Sequence, residues 1–101
     1  MDVPFPLDSD PPNNNVLAHP KDTIVFTKQL PIETAIEIQY KDMPDKTLFG
    51  ESAFFVGQST PKPIAASAVL DRVYQVWGPP TEDGPWGQTL KGTITVKASG
   101  S

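Results

Sequence analysis

Two tryptophans, Trp77 and Trp86, bracket the stretch WGPPTEDGPWG (residues 77–87) and are the only indoles in the chain of 101 residues. An indole stacks on the face of a sugar ring or fills a partner's pocket, so Trp86 and Trp77, with Tyr74 just upstream, are the candidate binding residues. Trp77 ends an apolar element and is expected to pack at its rim. Trp86 lies between Pro85 and Gly87 with no periodic apolar neighbours. It is expected either to cap the open end of the fold, against Trp77 or a proline ring, or to contact a ligand. A sugar site also needs convergent polar groups, and the linear sequence shows no such set beside the indoles.

The remaining chemistry-bearing residues are few. His19 is the single histidine and stands between Ala18 and Pro20 in a proline-rich segment, a poor platform for a base that must be held within hydrogen-bond reach of its target. The seven glycines form no Walker or dinucleotide-binding pattern. Asp8-Ser9-Asp10 and Glu82-Asp83-Gly84 offer carboxylates, but neither continues into a calcium loop with a closing glutamate. Aspartate beside proline is common in turns because it bonds the local backbone. Glu33 and Glu37, four residues apart on one strand face, would be separated by about 13 Å, beyond the ~5–9.5 Å of paired glycosidase carboxylates. They are expected to be solvating charges. No catalytic residue, metal site or cofactor is therefore expected.

Composition narrows the classes further. Eight basic and twelve acidic residues give a net charge of −4, and Arg72 is the sole arginine. A nucleic-acid partner, which requires a clustered basic face, is not expected. The absence of cysteine excludes disulfides and thiolate sites. No apolar run approaches the ~20 residues of a membrane-spanning helix. The acidic, proline-bearing start MDVPFPLDSD does not read as a signal peptide, so a virion or cytoplasmic setting is expected ahead of a secreted one.

These groups are positioned by a chain that changes character at Thr23. Residues 1–22 hold five prolines and three consecutive asparagines, a composition that denies a helix. The segment is expected to be a disordered tail or an extended arm. In the arm reading, Val3, Phe5 and Leu7 alternate on one face and anchor in a neighbouring subunit.

Residues 23–98 read as one β domain, and 99–101 as a tail or linker. TIVFTKQL (23–30) is rich in β-branched and aromatic residues, and residues 32–40 alternate strictly. KDMPDK (41–46) and QSTPKP (58–63) read as turns, the first with Pro44-Asp45 at its centre. TLFGESAFFVG (47–57) reads as a strand with Leu48, Phe54 and Val56 on one face, Phe49 and Phe55 on the other, and Gly50 at a bulge or close approach. Residues 64–77 fit a helix through 64–77 or a strand from Leu70; the surrounding strands favour the strand. TLKGTITVKA (89–98) sets Leu90, Gly92, Ile94, Val96 and Ala98 against threonine and lysine.

The expected fold is mainly β, a small antiparallel β-sandwich of Ig-like or jelly-roll-like type with an extended N-terminal arm; an α+β fold with one helix over 64–77 is the alternative. The expected function is a non-enzymatic structural or assembly subunit of virion, tail or surface-assembly type. Its partner would be a further copy or a neighbouring structural protein. The alternative is a small module that binds carbohydrate through its tryptophans.

Overall fold

The computed structural model describes residues 1–8, 14–29, 32–78 and 90–98. Among the described residues nine strands run in chain order: β1 (Asp2–Pro6), β2 (Asn14–Ala18), β3 (Thr23–Thr27), β4 (Thr34–Tyr40), β5 (Met43–Pro44), β6 (Ala53–Val56), β7 (Ser59–Pro63), β8 (Val73–Trp77) and β9 (Leu90–Val96). No helix occurs among the described residues, which excludes the α+β alternative.

The strands form two sheets, β1-β3-β7 and β2-β9-β8-β4-β5, with β6 also paired to β4. Period-two alternation places one set of side chains between them. Ile24 and Phe26 of β3, Ile36 and Ile38 of β4, Tyr74 and Val76 of β8, and Ile94 and Val96 of β9 are all fully buried. With β3 and β7 in one sheet and β4, β8 and β9 in the other, the arrangement is sandwich-like. A knot of tilted and edge-on rings closes one part of the core, with Phe26 at 5.3 Å from Phe5, 5.9 Å from Phe49 and 5.7 Å from Phe54.

The sheets are mixed, not purely antiparallel. β1 runs parallel to β3, and β2 parallel to β9. Both parallel pairs come from the N-terminal segment, which lays β1 on one sheet and then β2 on the other. The segment is thus extended, as expected, but it folds onto its own chain. Phe5 and Leu7 are core residues and Val3 packs against that core, so the alternating anchors meet the chain's own interior where a neighbour's groove was expected. Met1 joins the same closure, its carbonyl accepting from the Thr23 N–H at 2.9 Å.

The two segments read as turns also change. QSTPKP becomes β7. In KDMPDK the tight turn is Lys41-Asp42, both at positive φ (53° and 66°), which lets Tyr40 pair with Met43 and sets Pro44 on β5. Conversely, the strand expected from residue 47 begins only at Ala53. Residues 47–50 form a turn instead, in which Gly50 takes φ 86° and its N–H bonds the Lys46 carbonyl. Leu48 and Phe49 both join the core from that turn.

Candidate functional site

The outer face of the larger sheet gathers the groups with binding character. β8 presents Val73, Gln75 and Trp77 on this face, because Tyr74 and Val76 take the core side. Gln75 lies directly opposite Gln39, and Trp77 opposite Glu37, so four side chains from two central strands form a square. Gln39 Nε2 donates to Glu37 Oε1 at 2.7 Å, and Trp77 Nε1 donates to Gln75 Oε1 at 3.3 Å. The indole is half-buried, and its orientation is fixed by an amide two residues earlier on its own strand.

This arrangement revises the expectation for Glu37. β4 is an interior strand, with β8 on one side and β5 and β6 on the other. Long neighbours therefore cover its outer side chains, and Glu37 and Gln39 are 9% and 7% exposed while Glu33, before the strand, is exposed. The polar row continues outward from Gln75. Thr93 of β9 pairs with Gln75, and Asn15 of β2 pairs with Thr93. Thr93 Oγ1 donates to Asn15 Oδ1 at 2.8 Å.

Beside this polar row runs an apolar one. Leu17 lies opposite Thr95, and Thr95 opposite Val73; Leu17 is 57% and Val73 48% exposed. The band continues into Val69 and Leu70, exposed in the turn that leads to β8. Leu70 in turn lines a cleft of about 430 Å³ shared with Pro20, Lys21, Ile64, Ala65 and Ala68. On the far side of the sheet Phe55 of β6 is 68% exposed.

Tyr74 is not available to a ligand. It is fully buried, and its hydroxyl accepts from the Val69 N–H at 2.8 Å and meets Thr47 Oγ1 at 2.7 Å. Thr47 Oγ1 donates to Asp45 Oδ1 at 2.5 Å, the Thr47 N–H donates to the same oxygen at 2.7 Å, and Arg72 Nη1 donates to Asp45 Oδ2 at 2.9 Å. The directions follow from the ends of the chain. Thr47 spends its proton on the carboxylate, so the Tyr74 O–H donates to Thr47 and its oxygen is left to accept from Val69. Tyr74, near the start of β8, thus ties its hydroxyl back to the backbone five residues upstream.

The Arg72 guanidinium lies over the Tyr40 ring, 4.1 Å from its centroid, a cation–π contact that helps hold it against Asp45. Burial pushes the Asp45 carboxyl up, but the two Thr47 hydrogen bonds and the Arg72 charge outweigh it and hold the group below the usual aspartate range. The cluster is fully satisfied internally and locks the turns at 45–47 and 69–72 to β8.

The other candidates separate. Trp86, the Glu82-Asp83 pair and Ser9-Asp10 lie outside the described residues. Asp8 accepts from the Gln29 N–H at 2.8 Å. The His19 ring Nδ1 meets the Lys97 carbonyl at 3.1 Å on the surface, and the His19 N–H bonds Asp22. Among the described residues no group of three or more His, Asp or Glu side chains is placed to hold a metal ion, and no helix is long and apolar enough to cross a membrane.

No protein-family model matches the chain, and no curated protein matches it.

Proposed function

We propose that the protein is a non-enzymatic structural subunit that self-associates through its β domain, of the kind that builds virions, tails or surface assemblies. One observation carries this reading: the band of exposed apolar side chains, Leu17, Val73, Val69 and Leu70, at one corner of the larger sheet. Single exposed apolar residues are ordinary, but four of them on one sheet face and the turn that leads into it supply apolar surface of the kind an interaction site uses. The net charge of −4 opposes non-specific clumping, so the patch is suited to a defined contact.

Deleting residues 1–18 would be an unsuitable test, since it removes Phe5, Leu7 and Ala18 from the core. The mass in solution is instead compared between the native chain and the double variant Leu70→Lys/Val73→Lys. The native chain is expected to show concentration-dependent oligomers, and the variant to remain monomeric with its fold retained. A native chain that stays monomeric into the millimolar range overturns the proposal.

The square of Glu37, Gln39, Gln75 and Trp77 supports a second reading, a carbohydrate-binding face. It combines an oriented indole with amide and carboxylate groups, the pairing of flat apolar surface and fixed polar groups that sugar recognition needs. Tryptophan fluorescence should then shift on titration with a glycan panel, and Trp77→Ala should abolish the response. A spectrum unchanged across the panel refutes this reading.

A further inference from the structure

The sandwich guards most of its sheet edges with proline, and the guarding follows a rule. In a strand the N–H and C=O of one residue point to the same side, and successive residues alternate between the two sides. Leu7 donates its N–H to Thr27, so Val3, Phe5 and Leu7 turn their backbone to β3, and Pro4 and Pro6 turn theirs to the open edge. Ile64 donates to Asp22, so Pro61 and Pro63 of β7 face the other open edge of that sheet. Asp45 donates to Ile38, which sends Pro44 of β5 outward. All five in-strand prolines stand where an N–H would have pointed at solvent, which costs no internal bond and denies an incoming strand its donor.

Among the described residues two edges lack this device. Ala18 accepts from the Lys97 N–H, so Asn15 and Leu17 of β2 present their N–H and C=O groups to the open edge. By the same alternation from the Ile38 N–H to Ser52 carbonyl bond, Ala53 and Phe55 do so on β6. The β6 edge is the less receptive, for a Glu51–Lys62 ion pair stands beside it and Lys62 lies 4.4 Å over the Phe54 ring. β2, sequence NNVLA, contains no charged residue.

We propose that β2 is a strand-addition site whose occupant is the β2 of a second copy, joined antiparallel about a two-fold axis at Val16. The inference rests on the self-association reading above and adds to it a backbone contact at the Leu17 end of the apolar surface, two strands from Val73. The edge is self-complementary. A two-fold at Val16 brings Asn15 of one copy opposite Leu17 of the other, twice, and each such pair exchanges two N–H to C=O bonds. Val16 meets its own copy at the closer, non-hydrogen-bonded position. The two Leu17 side chains become diagonal neighbours on the outer face, within reach of each other, which covers the most exposed member of the apolar band. Pairing β2 with β6 of the next copy would leave an unclosed chain, whereas β2 with β2 closes as a dimer.

The experiment measures sedimentation equilibrium and residue-resolved amide exchange on the full chain. The native protein is expected to dimerise, with exchange at the Asn15 and Leu17 amides slowing as concentration rises while exchange at Ala53 and Phe55 does not. Leu17→Pro, which copies the guard of the other edges, should weaken dimerisation at least about tenfold, since it removes one donor from each copy. Its circular dichroism and thermal midpoint should match the native monomer. Leu17→Lys keeps the N–H and should weaken the dimer through like charges across the axis. A dimer indifferent to both Leu17 variants, or one dissociated by Ala53→Pro, overturns the β2 assignment while leaving self-association standing. A chain monomeric at all concentrations overturns both.

Discussion

Replacing Tyr74 by Phe removes one oxygen from the interior and leaves the ring in place. That oxygen accepts from the Val69 N–H and donates to Thr47 Oγ1, at 2.8 and 2.7 Å. Tyr74 itself is fully buried, and its two hydroxyl bonds are part-buried. Thr47 keeps its bonds to Asp45, and the Val69 N–H is the group left without an acceptor. Two part-buried hydrogen bonds contribute about 1 kcal/mol each, and an orphaned donor adds a desolvation cost, so the expected loss is about 2–3 kcal/mol. With unfolding entropy near 2.1 cal/mol/K per residue, each kcal/mol lowers the thermal midpoint of a chain this size by about 5 °C, which predicts a fall of about 10–15 °C. Urea unfolding followed by far-ultraviolet circular dichroism measures it, with an unchanged m-value as the check that the same surface is exposed. A loss below about 0.5 kcal/mol would refute the reasoning, because it would mean the hydroxyl is solvated and the turn at 69–72 is not held by it.

Three further outcomes follow from the packing. Gly92 takes φ 150°, and a Cβ there would stand 2.2 Å from the Asn14 carbonyl oxygen and 2.7 Å from its nitrogen; Gly92→Ala should cost about 2–4 kcal/mol and free β2 from β9, seen as faster amide exchange over residues 14–18. The lowered Asp45 carboxyl contributes stability that is fully present above the ordinary aspartate value of about 3.9 and is lost as pH falls through its lower folded value; Asp45→Asn should flatten the acid limb of stability against pH below that ordinary value, and an unchanged limb counts against the cluster. Phe54→Ala removes a ring that meets Phe26 and Phe49 at 5.7 Å each and should cost about 3 kcal/mol in urea unfolding, whereas Phe55→Ala, whose side chain is exposed, should cost under about 0.5.

How far the sequence discloses this molecule depends on whether a residue's role is local. The alternation in residues 23–27, 34–40 and 90–96 is carried by each strand alone, and it yields β3, β4 and β9 to within a few residues. Gly92 sits in the apolar series of β9 because the backbone of β2 occupies the space a side chain would fill; the pattern places it inward without disclosing that neighbour. The fate of the N-terminal segment is not local. Val3, Phe5 and Leu7 display an anchoring face, but the same alternation serves a groove on another molecule and a core in its own. Only the sandwich, with two edges available, decides for the latter. The binding square is hidden for a similar reason. Gln39 and Gln75 are 36 positions apart in sequence and meet through the register of β4 and β8, and Glu37 reads as solvated because nothing in its own strand reveals that both flanks are occupied.

Proline is the residue whose meaning changes most between sequence and structure. A high proline content reads as loops and stiff linkers, and residues 58–63 accordingly read as a turn. Yet a strand forbids proline only on the side that bonds a neighbour. In PKP of β7 and in PFP of β1 the prolines recur at two-residue spacing with a side chain between them that faces the other sheet, the periodicity of a strand and not of a turn. That spacing carries information about pairing: a strand with proline at every second position has one bonded side and one dead side, and so must be an edge. Read this way, the sequence marks β1 and β7 as the two ends of one sheet, and NNVLA of β2, uncharged and without proline, as the end of the described order in the other sheet that carries no such dead side.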